Sequence, residues 1–564
     1  MTSLSRNASP HVKPGLTSFS VGFKILIVVL LTLGIFFRFA NLDKKVYWYD
    51  ETRTSIRAIA AYSPTAPKAI FDNRITDAND LLQFQRVNPD RSIVDSIKVM
   101  ASDDPKHPPL YYTLVGLWAR AFGDSVATVR AFSAIISLFV FPALYWLCLE
   151  LFQSTSTGWL AISLMAVSPF QVLYAQEARQ YGLWAVAILL SSASLLRAKR
   201  SQTKLNWCIY AITLVMGLYT FSLFGLVILA HAIYMLGSSE FQPLSLRTNP
   251  WQSLAMATFR SAKLWKNYAL ATLFGAVSFA PWAKLIYDER DELRLDQLEA
   301  SRGIVYLLKT WLIGISSVYF DPDSSVMDAL RNDTDSLITY LIRLPVLLLI
   351  IYAVYYLVKT SKQQIWLLVV SIMSVSGLFL AIPDILVGGV RSSVPRYLVP
   401  FYLSTQLAIA YLLNDKLFAN PKSYQAIWKG VTSLVITLGV VSCTISYPAE
   451  TWWNKQSSYH IPEVAHVLNR EAHPVLISSY SWYNSTQLLS LSHKLKSHVR
   501  LHLLEQPDSS QIVRDRYGEL ATVFVFNPKP EFQQDLMQAG YELSVVNELG
   551  QLWQLEMNSS THSG

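Results

Sequence analysis

The sequence predicts a polytopic α-helical membrane protein of about eleven transmembrane helices with a small soluble α/β domain at its C-terminal end. Three observations carry this. Of 564 residues, 52% are hydrophobic and 15% charged, whereas a soluble domain carries about a quarter charged residues. The mean hydropathy is +0.29, and the apolar residues gather into runs of about 17 to 25, the length that crosses a hydrocarbon layer. Sixteen Trp and 29 Tyr, many near the ends of those runs, fit the aromatic belts of a membrane interface.

The first run, Val21 to Ala40, follows a polar leader with Arg6 and Lys13. It is too long for a signal-peptide core and no small-x-small cleavage site follows, so it is a retained span behind a cytoplasmic tail, residues 1–22. A polar stretch, 41–109, holds ten acidic and ten basic residues and forms an extramembrane loop with short helices. Leu110 to Phe122 is apolar but only about thirteen residues long, so it lies along the interface or re-enters. Ten further spans are expected at about 129–151, 158–172, 181–196, 205–220, 222–236, 268–287, 337–358, 364–382, 396–413 and 426–446. Residues 23–446 thus make the membrane domain. After Tyr447, strand-length apolar stretches (Val475 to Ile477, Thr522 to Phe526, Leu543 to Val546) alternate with helix-like segments such as Pro530 to Ala539, which predicts an α/β domain over 447–564.

Charge sets the orientation, because basic loops stay in the cytoplasm. Arg197 to Lys204 has four basic residues and no acid, and Lys359 to Lys362 has two and none. The loop 288–335 has eleven acids against five bases and falls on the opposite side, as does the loop 41–109. Both loops face outward, with the N-terminus cytoplasmic and the C-terminal domain extracytoplasmic, in an integral protein of the plasma (inner) membrane. The net charge of +8 reads as loop charge. No basic block is interleaved with exposed aromatics, so membrane lipid and not nucleic acid is the expected partner. Cys148, Cys208 and Cys443 lie in or beside apolar runs without CxxC or Cys/His spacing, which indicates neither a disulfide framework nor structural zinc.

No P-loop, Gly-rich dinucleotide turn or G-x-S-x-G elbow occurs, so nucleotide binding and serine hydrolysis have no support. Four segments concentrate polar residues where outward loops meet spans: Trp48 to Glu51, His107 to Tyr112, Gln176 to Tyr181, and Pro395 to Tyr397. Remote stretches of chain would bring carboxylates, arginines and a histidine to one outward cavity.

The order WYDE, HPPLYYTLVGLWARAFGDSVATVRAFS, SPFQVLYAQEARQYGL and PRYLVPF resembles the glycosyltransferase-C superfamily, specifically family 39, the protein mannosyltransferase-like enzymes that include aminoarabinose transferase relatives. The resemblance covers roughly residues 20–410 and is strongest from Asp50 to Tyr181. It implies a GT-C-like multispan core, an outward first loop with surface helices, and a polyprenyl-phosphate-linked sugar as donor. It further implies that Asp50 is the catalytic carboxylate, that Glu51 stands beside it, and that Glu177 shares the site.

Chemistry supports these assignments separately. Transfer to an acceptor hydroxyl needs a base, and a partly desolvated carboxylate has its pKa raised toward that task, which suits Asp50. One displacement inverts the anomeric centre. The lipid phosphate leaving group wants guanidinium donors, with Arg396 first and Arg391 and Arg179 as alternatives. His107 would hold phosphate or sugar, and Tyr111, Tyr181 and Tyr397 in the same segments would contact substrate. Other readings stay open: Asp50 as a helix N-cap acid after an aromatic belt, Glu177 and Arg179 as a structural ion pair, Arg396 as a snorkelling interfacial residue, His107 as a packed loop histidine. No cofactor and no metal are expected, since closer family members lack one. A divalent ion on Asp50, Glu51 and Glu177 is the disfavoured alternative, and Asp321-Pro322-Asp323 is read as a turn. The competing function is a lipid-linked glycan transporter or flippase, which would place charge near the bilayer midplane. A third is a tail acting as a binding module through Trp452, Trp453, Trp482 and Trp553. The acceptor, whether lipid, glycan or protein, is not set by sequence.

Overall fold

Residues 20–238, 250–289, 302–332, 334–418, 422–512, 516–518 and 520–557 are described by the computed structural model of the chain. Residues 1–19 of the expected tail, 290–301 and 333 of the second long loop and 558–564 of the C-terminal region lie outside them.

The helix Val21–Phe39 shows why the apolar runs become spans. Its 19 residues extend about 28 Å at the helical rise, close to the ~30 Å of hydrocarbon. Ser20 Oγ accepts the Phe23 N–H at 3.3 Å and caps the start. Arg38 in the last turn is buried, yet its guanidinium donates to the carbonyls of Gly34, Ala166 and Met165 at 2.8, 2.7 and 3.2 Å. Two of those carbonyls end the helix Thr155–Ala166, where no intrahelical partner is available. Gly34 is required there, since a Cβ would stand 2.5 Å from the Ala166 oxygen.

Ten of the eleven expected runs fall largely on one helical stretch, and the run 158–172 crosses a break between two helices. Among the described residues, seven helices are long and apolar enough to cross a membrane, or eight if a bent pair is one span. That pair, Thr155–Ala166 and Pro169–Ala175, turns by 63°. Pro169 explains the break: it has no N–H to donate back and holds Ser168 extended. The remaining three runs are shorter or less apolar: Lys204–Thr220 has 17 residues, Phe224–Gly237 has 14, and Val399–Phe418 is a largely buried helix with Asn414, Asp415 and Lys416 near its end. Leu110–Phe122 is a helix of 13 residues. It packs on the helical turn Ser55–Ile59, where Gly116 meets the Ala58 carbonyl.

The C-terminal region builds five strands of a six-stranded sheet. Its strands are β1 (Ile75–Thr76), β2 (Pro474–Ser479), β3 (Arg500–Leu504), β4 (Thr522–Phe526), β5 (Tyr541–Asn547) and β6 (Leu552–Met557), in spatial order β1-β3-β2-β4-β6-β5. β2 pairs in parallel with β3 and β4, and β1, β5 and β6 join antiparallel. β1 comes from the first long loop, with Ile75 opposite His502. That loop also shares a hydrophobic core with the sheet and its helices: Val46, Trp48, Ile56, Phe71 and Leu81 pack with Val464, Leu468, Leu488, Leu501 and Phe524. The loop and the tail are therefore one packed unit seated on the helical bundle, and the polar segments meet along that seam.

Candidate active site

The short helix Tyr49–Thr54 positions the first acids. Glu51 is fully buried and fills both oxygens: Arg130 Nε donates to Oε1 at 2.7 Å and Nη2 to Oε2 at 2.6 Å, and the Ala178 N–H donates to Oε1 at 2.8 Å. Arg130 gives its other N–H groups to the carbonyls of Leu42, Lys45 and Val46 at 2.7 to 2.8 Å. A buried guanidinium is tolerable when every donor is used. Burial alone would raise the Glu51 pKa; Arg130 and Lys455 outweigh it and hold the carboxyl below its ordinary value.

Glu51 faces inward, so its neighbour Asp50 faces the seam. The Asp50 side chain is 16% exposed, and Oδ2 lies 3.9 Å from Arg179 Nη2 and 3.7 Å from Arg396 Nη2. These separations exceed hydrogen-bond contact, leaving a carboxylate between two cations and gripped by neither. The sequence-based expectation of a raised pKa is corrected here: burial does push it up, but the Arg179 and Arg396 cations, with Arg53 further off, pull it below the usual carboxylate value.

Arg179 also donates to the Asp50 backbone carbonyl at 3.2 Å, and its Nη2 lies 3.0 Å from His107 Nε2. A guanidinium only donates, so His107 accepts through Nε2 and carries its proton on Nδ1, which donates to Asp104 Oδ2 at 2.9 Å. Burial, with Arg179 beside it, lowers the His107 pKa despite Asp104, so the ring is neutral. Asp104 is buried and also accepts from Arg57. The result is a chain from Arg57 through Asp104, His107 and Arg179 to Asp50.

Glu177 stands behind this group, fully buried. Its Oε1 accepts from Asn454 at 2.7 Å and Lys455 at 2.9 Å, while Oε2 is buried without a partner. Burial raises its pKa, Lys455 opposes that, and Glu51 adds to it. Lys455 Nζ is also 3.6 Å from Glu51 Oε2, so one ammonium serves both acids. The next residue, Gln456, has φ 45°, a left-handed conformation that costs a non-glycine residue roughly 1–3 kcal/mol.

Of the sequence-predicted residues, the structure brings Asp50, His107, Arg179 and Arg396 together. Tyr181 lies under Arg179 at 5.9 Å and Tyr397 under Arg396 at 5.5 Å, measured to the ring centres. Glu51 and Glu177 are enclosed behind them. Tyr111 is in the core, hydrogen-bonded to Ser133 at 2.7 Å, and Arg391 pairs with Asp384 at 3.7 Å. Asp323 accepts the Ser325 N–H in a turn, as read, but Asp321 is buried beneath the indole N–H groups of Trp452 and Trp453. Sequence reasoning missed Arg130, Asp104, Arg57, Asn454 and Lys455. Only Arg130 left a signal, a charge inside an expected span. Among the described residues no group of three or more side chains is arranged to hold a metal ion.

Residues 106–263 match the family model of dolichyl-phosphate-mannose-protein mannosyltransferase. None of the curated proteins matches the chain. Among solved structures, ArnT from Cupriavidus metallidurans bound to undecaprenyl phosphate is 13% identical, covers 97% of this chain and 100% of its own, and superposes with a TM-score of 0.46. The oligosaccharyltransferase AglB from Archaeoglobus fulgidus, in complex with an inhibitory peptide and a dolichol-phosphate, is 12% identical over 96% of this chain and 75% of its own, with a TM-score of 0.44. From His107 through Glu177 and Arg179 to the helices that follow, the chain thus carries the sequence pattern of the dolichyl-phosphate-mannose-protein mannosyltransferases.

Proposed function

We propose that this chain is an integral-membrane glycosyltransferase that moves a sugar from a polyprenyl-phosphate carrier to an acceptor hydroxyl, on the extracytoplasmic face and with inversion. One observation carries the reading: Asp50 stands partly open between Arg179 and Arg396, which come from segments far apart in sequence. The family pattern over 106–263 and the seven apolar helices support it.

The charges suit the chemistry. Asp50 is ionised and can accept the acceptor hydroxyl proton as that oxygen bonds to the anomeric carbon. The bond from that carbon to the phosphate oxygen breaks, and the lipid phosphate leaves with the electron pair. Arg179 and Arg396 make no hydrogen bond to the Asp50 carboxylate, so their charge there is open to phosphate oxygens, with Arg179 held in place by the Asp50 carbonyl and His107. When they do, Asp50 loses their full attraction and becomes a stronger base at the moment of transfer. Neutral His107 holds Arg179 in place through Nε2. Glu51 and Glu177 position the loops and do not touch substrate.

The test compares cells carrying the wild-type chain, Asp50→Asn, or no copy, by mass spectrometry of envelope glycolipids and glycoproteins. A glycan present with wild type and absent in the other two supports the reading, and NMR of its anomeric linkage tests inversion. Product formed equally by Asp50→Asn removes Asp50 as the base.

A further inference from the structure

Arg53 lies one helical turn after Asp50, 8% exposed, with Nε and Nη2 buried and lacking any hydrogen-bond partner. The carboxylates whose field reaches it are already paired: Asp104 with Arg57, and Asp50 with Arg179 and Arg396. Burial, and the adjacent Arg57 cation, lower its pKa to about 10. Among the described residues Arg53 enters no ion pair, unlike Arg57, Arg130, Arg179 and Arg396.

What Arg53 does touch is aromatic. Its guanidinium lies 3.5 Å over the Trp482 ring and 4.5 Å over Tyr49. Tyr49 meets Trp482 edge-on at 5.7 Å and Tyr483 at 6.2 Å. Trp482 and Tyr483 open the helix Trp482–Ser492 of the tail and stay 37% and 36% exposed, although most of that helix is buried. Partly exposed aromatic rings packed around a guanidinium with unpartnered N–H groups are the chemistry of a sugar platform with an anion clamp: a sugar stacks on the exposed indole and phenol surface, and an entering carboxylate or phosphate takes the N–H groups.

We propose that Tyr49, Arg53, Trp482 and Tyr483 form a subsite for an acidic acceptor glycan, seating its charged sugar next to Asp50. This rests on the transferase reading for its use, but not for its binding. Arg179 and Arg396 serve the donor phosphate on the bundle side of Asp50; the platform is built from the first loop and the tail.

The experiment uses the full chain in nanodiscs and three probes: a glucuronic-acid-containing disaccharide, its neutral glucose counterpart, and undecaprenyl phosphate. Tryptophan fluorescence and saturation-transfer NMR read binding. The acidic disaccharide is expected to bind at least 10-fold tighter than the neutral one. Arg53→Gln should erase that preference, Arg53→Lys should restore part of it, and Trp482→Phe should weaken both sugars while keeping their ratio. Equal binding of acidic and neutral sugar, or none, overturns the proposal. So does loss of undecaprenyl phosphate binding in Arg53→Gln with sugar binding intact, which would assign Arg53 to the donor. Should Arg53→Gln not fold, Trp482→Phe and the wild-type ratio still decide. Glycan transfer is read separately: a platform that binds in a chain that transfers nothing sinks the transferase reading alone, and transfer without sugar preference sinks the platform alone.

Discussion

Arg130 holds Glu51 by two parallel hydrogen bonds of 2.6 and 2.7 Å in a place closed to solvent, and the same guanidinium ties down the carbonyls of residues 42, 45 and 46. The pair orients the whole first turn of the Tyr49–Thr54 helix, and with it Asp50.

Breaking that pair from one side leaves a buried charge, which costs about 3–5 kcal/mol. Arg130→Ala and Glu51→Gln are both expected to lower the thermal unfolding temperature sharply in detergent. Arg130→Lys should not restore it, because an ammonium cannot supply the fork. Unfolding temperatures within a degree or two of wild type would contradict the bidentate role.

Asp50→Asn is expected to slow transfer by roughly 10²–10⁴-fold, the range for a positioned general base, with little change in unfolding temperature, since no hydrogen bond to its side chain is lost. Steady-state rates with intact protein check this.

The pH profile follows from the cations. The folded pKa of Asp50 lies below its ordinary value of 3.8, so the carboxylate is charged above that value and protonates only as pH falls beneath it. Activity of the free enzyme should therefore hold through the normal carboxylate range. In Arg396→Gln the acid limb should move to higher pH, as one of the pulling charges is gone. An unmoved limb would show that Arg396 does not act on Asp50.

Asp321 behaves oppositely. Burial raises its pKa from 3.8 to about 6, against the indole N–H groups of Trp452 and Trp453, which lower it. The folded state then binds a proton that the unfolded chain has released. Its contribution is complete below 3.8 and is lost as pH rises through about 6. Asp321→Asn should flatten that slope and add on the order of 2–3 kcal/mol at pH 7, measured by denaturant unfolding at pH 4 and pH 7.

Lys455 neutralises two buried acids, Glu51 at 3.6 Å and Glu177 at 2.9 Å. Lys455→Met should destabilise by about 3–5 kcal/mol, and adding Glu177→Gln should return part of the loss. A double-mutant cycle measures this, with a coupling of roughly 0.5–3 kcal/mol expected; strict additivity would show that the contact carries no energy.

The membrane helices were legible because run length and hydrocarbon thickness are one constraint, and the runs from 129–151 to 426–446 are helical, with the break at Pro169 inside 158–172 left unread. β2, β4 and β5 were legible as apolar strand-length stretches. β3 (RLHLL) and β6 (LWQLEM) were not, since each mixes polar residues into a short run. β1 is two residues long and exists only because β3 offers it an edge. The paired Asp50, His107, Arg179 and Arg396 were nameable as polar residues at span ends, whereas Asp104 and Lys455 carry no local pattern that separates them from ordinary loop charges.

By itself the sequence determined that the chain is a multi-pass membrane protein, which apolar runs become helical, and which polar segments interrupt them, because those are properties of neighbouring residues. Only the tertiary structure decided that Glu51 and Glu177 turn inward while Asp50 faces two arginines, and that the first loop packs into the tail. Those outcomes depend on which distant groups arrive to neutralise each buried charge, and a linear pattern holds no information about partners 79 or 278 positions away.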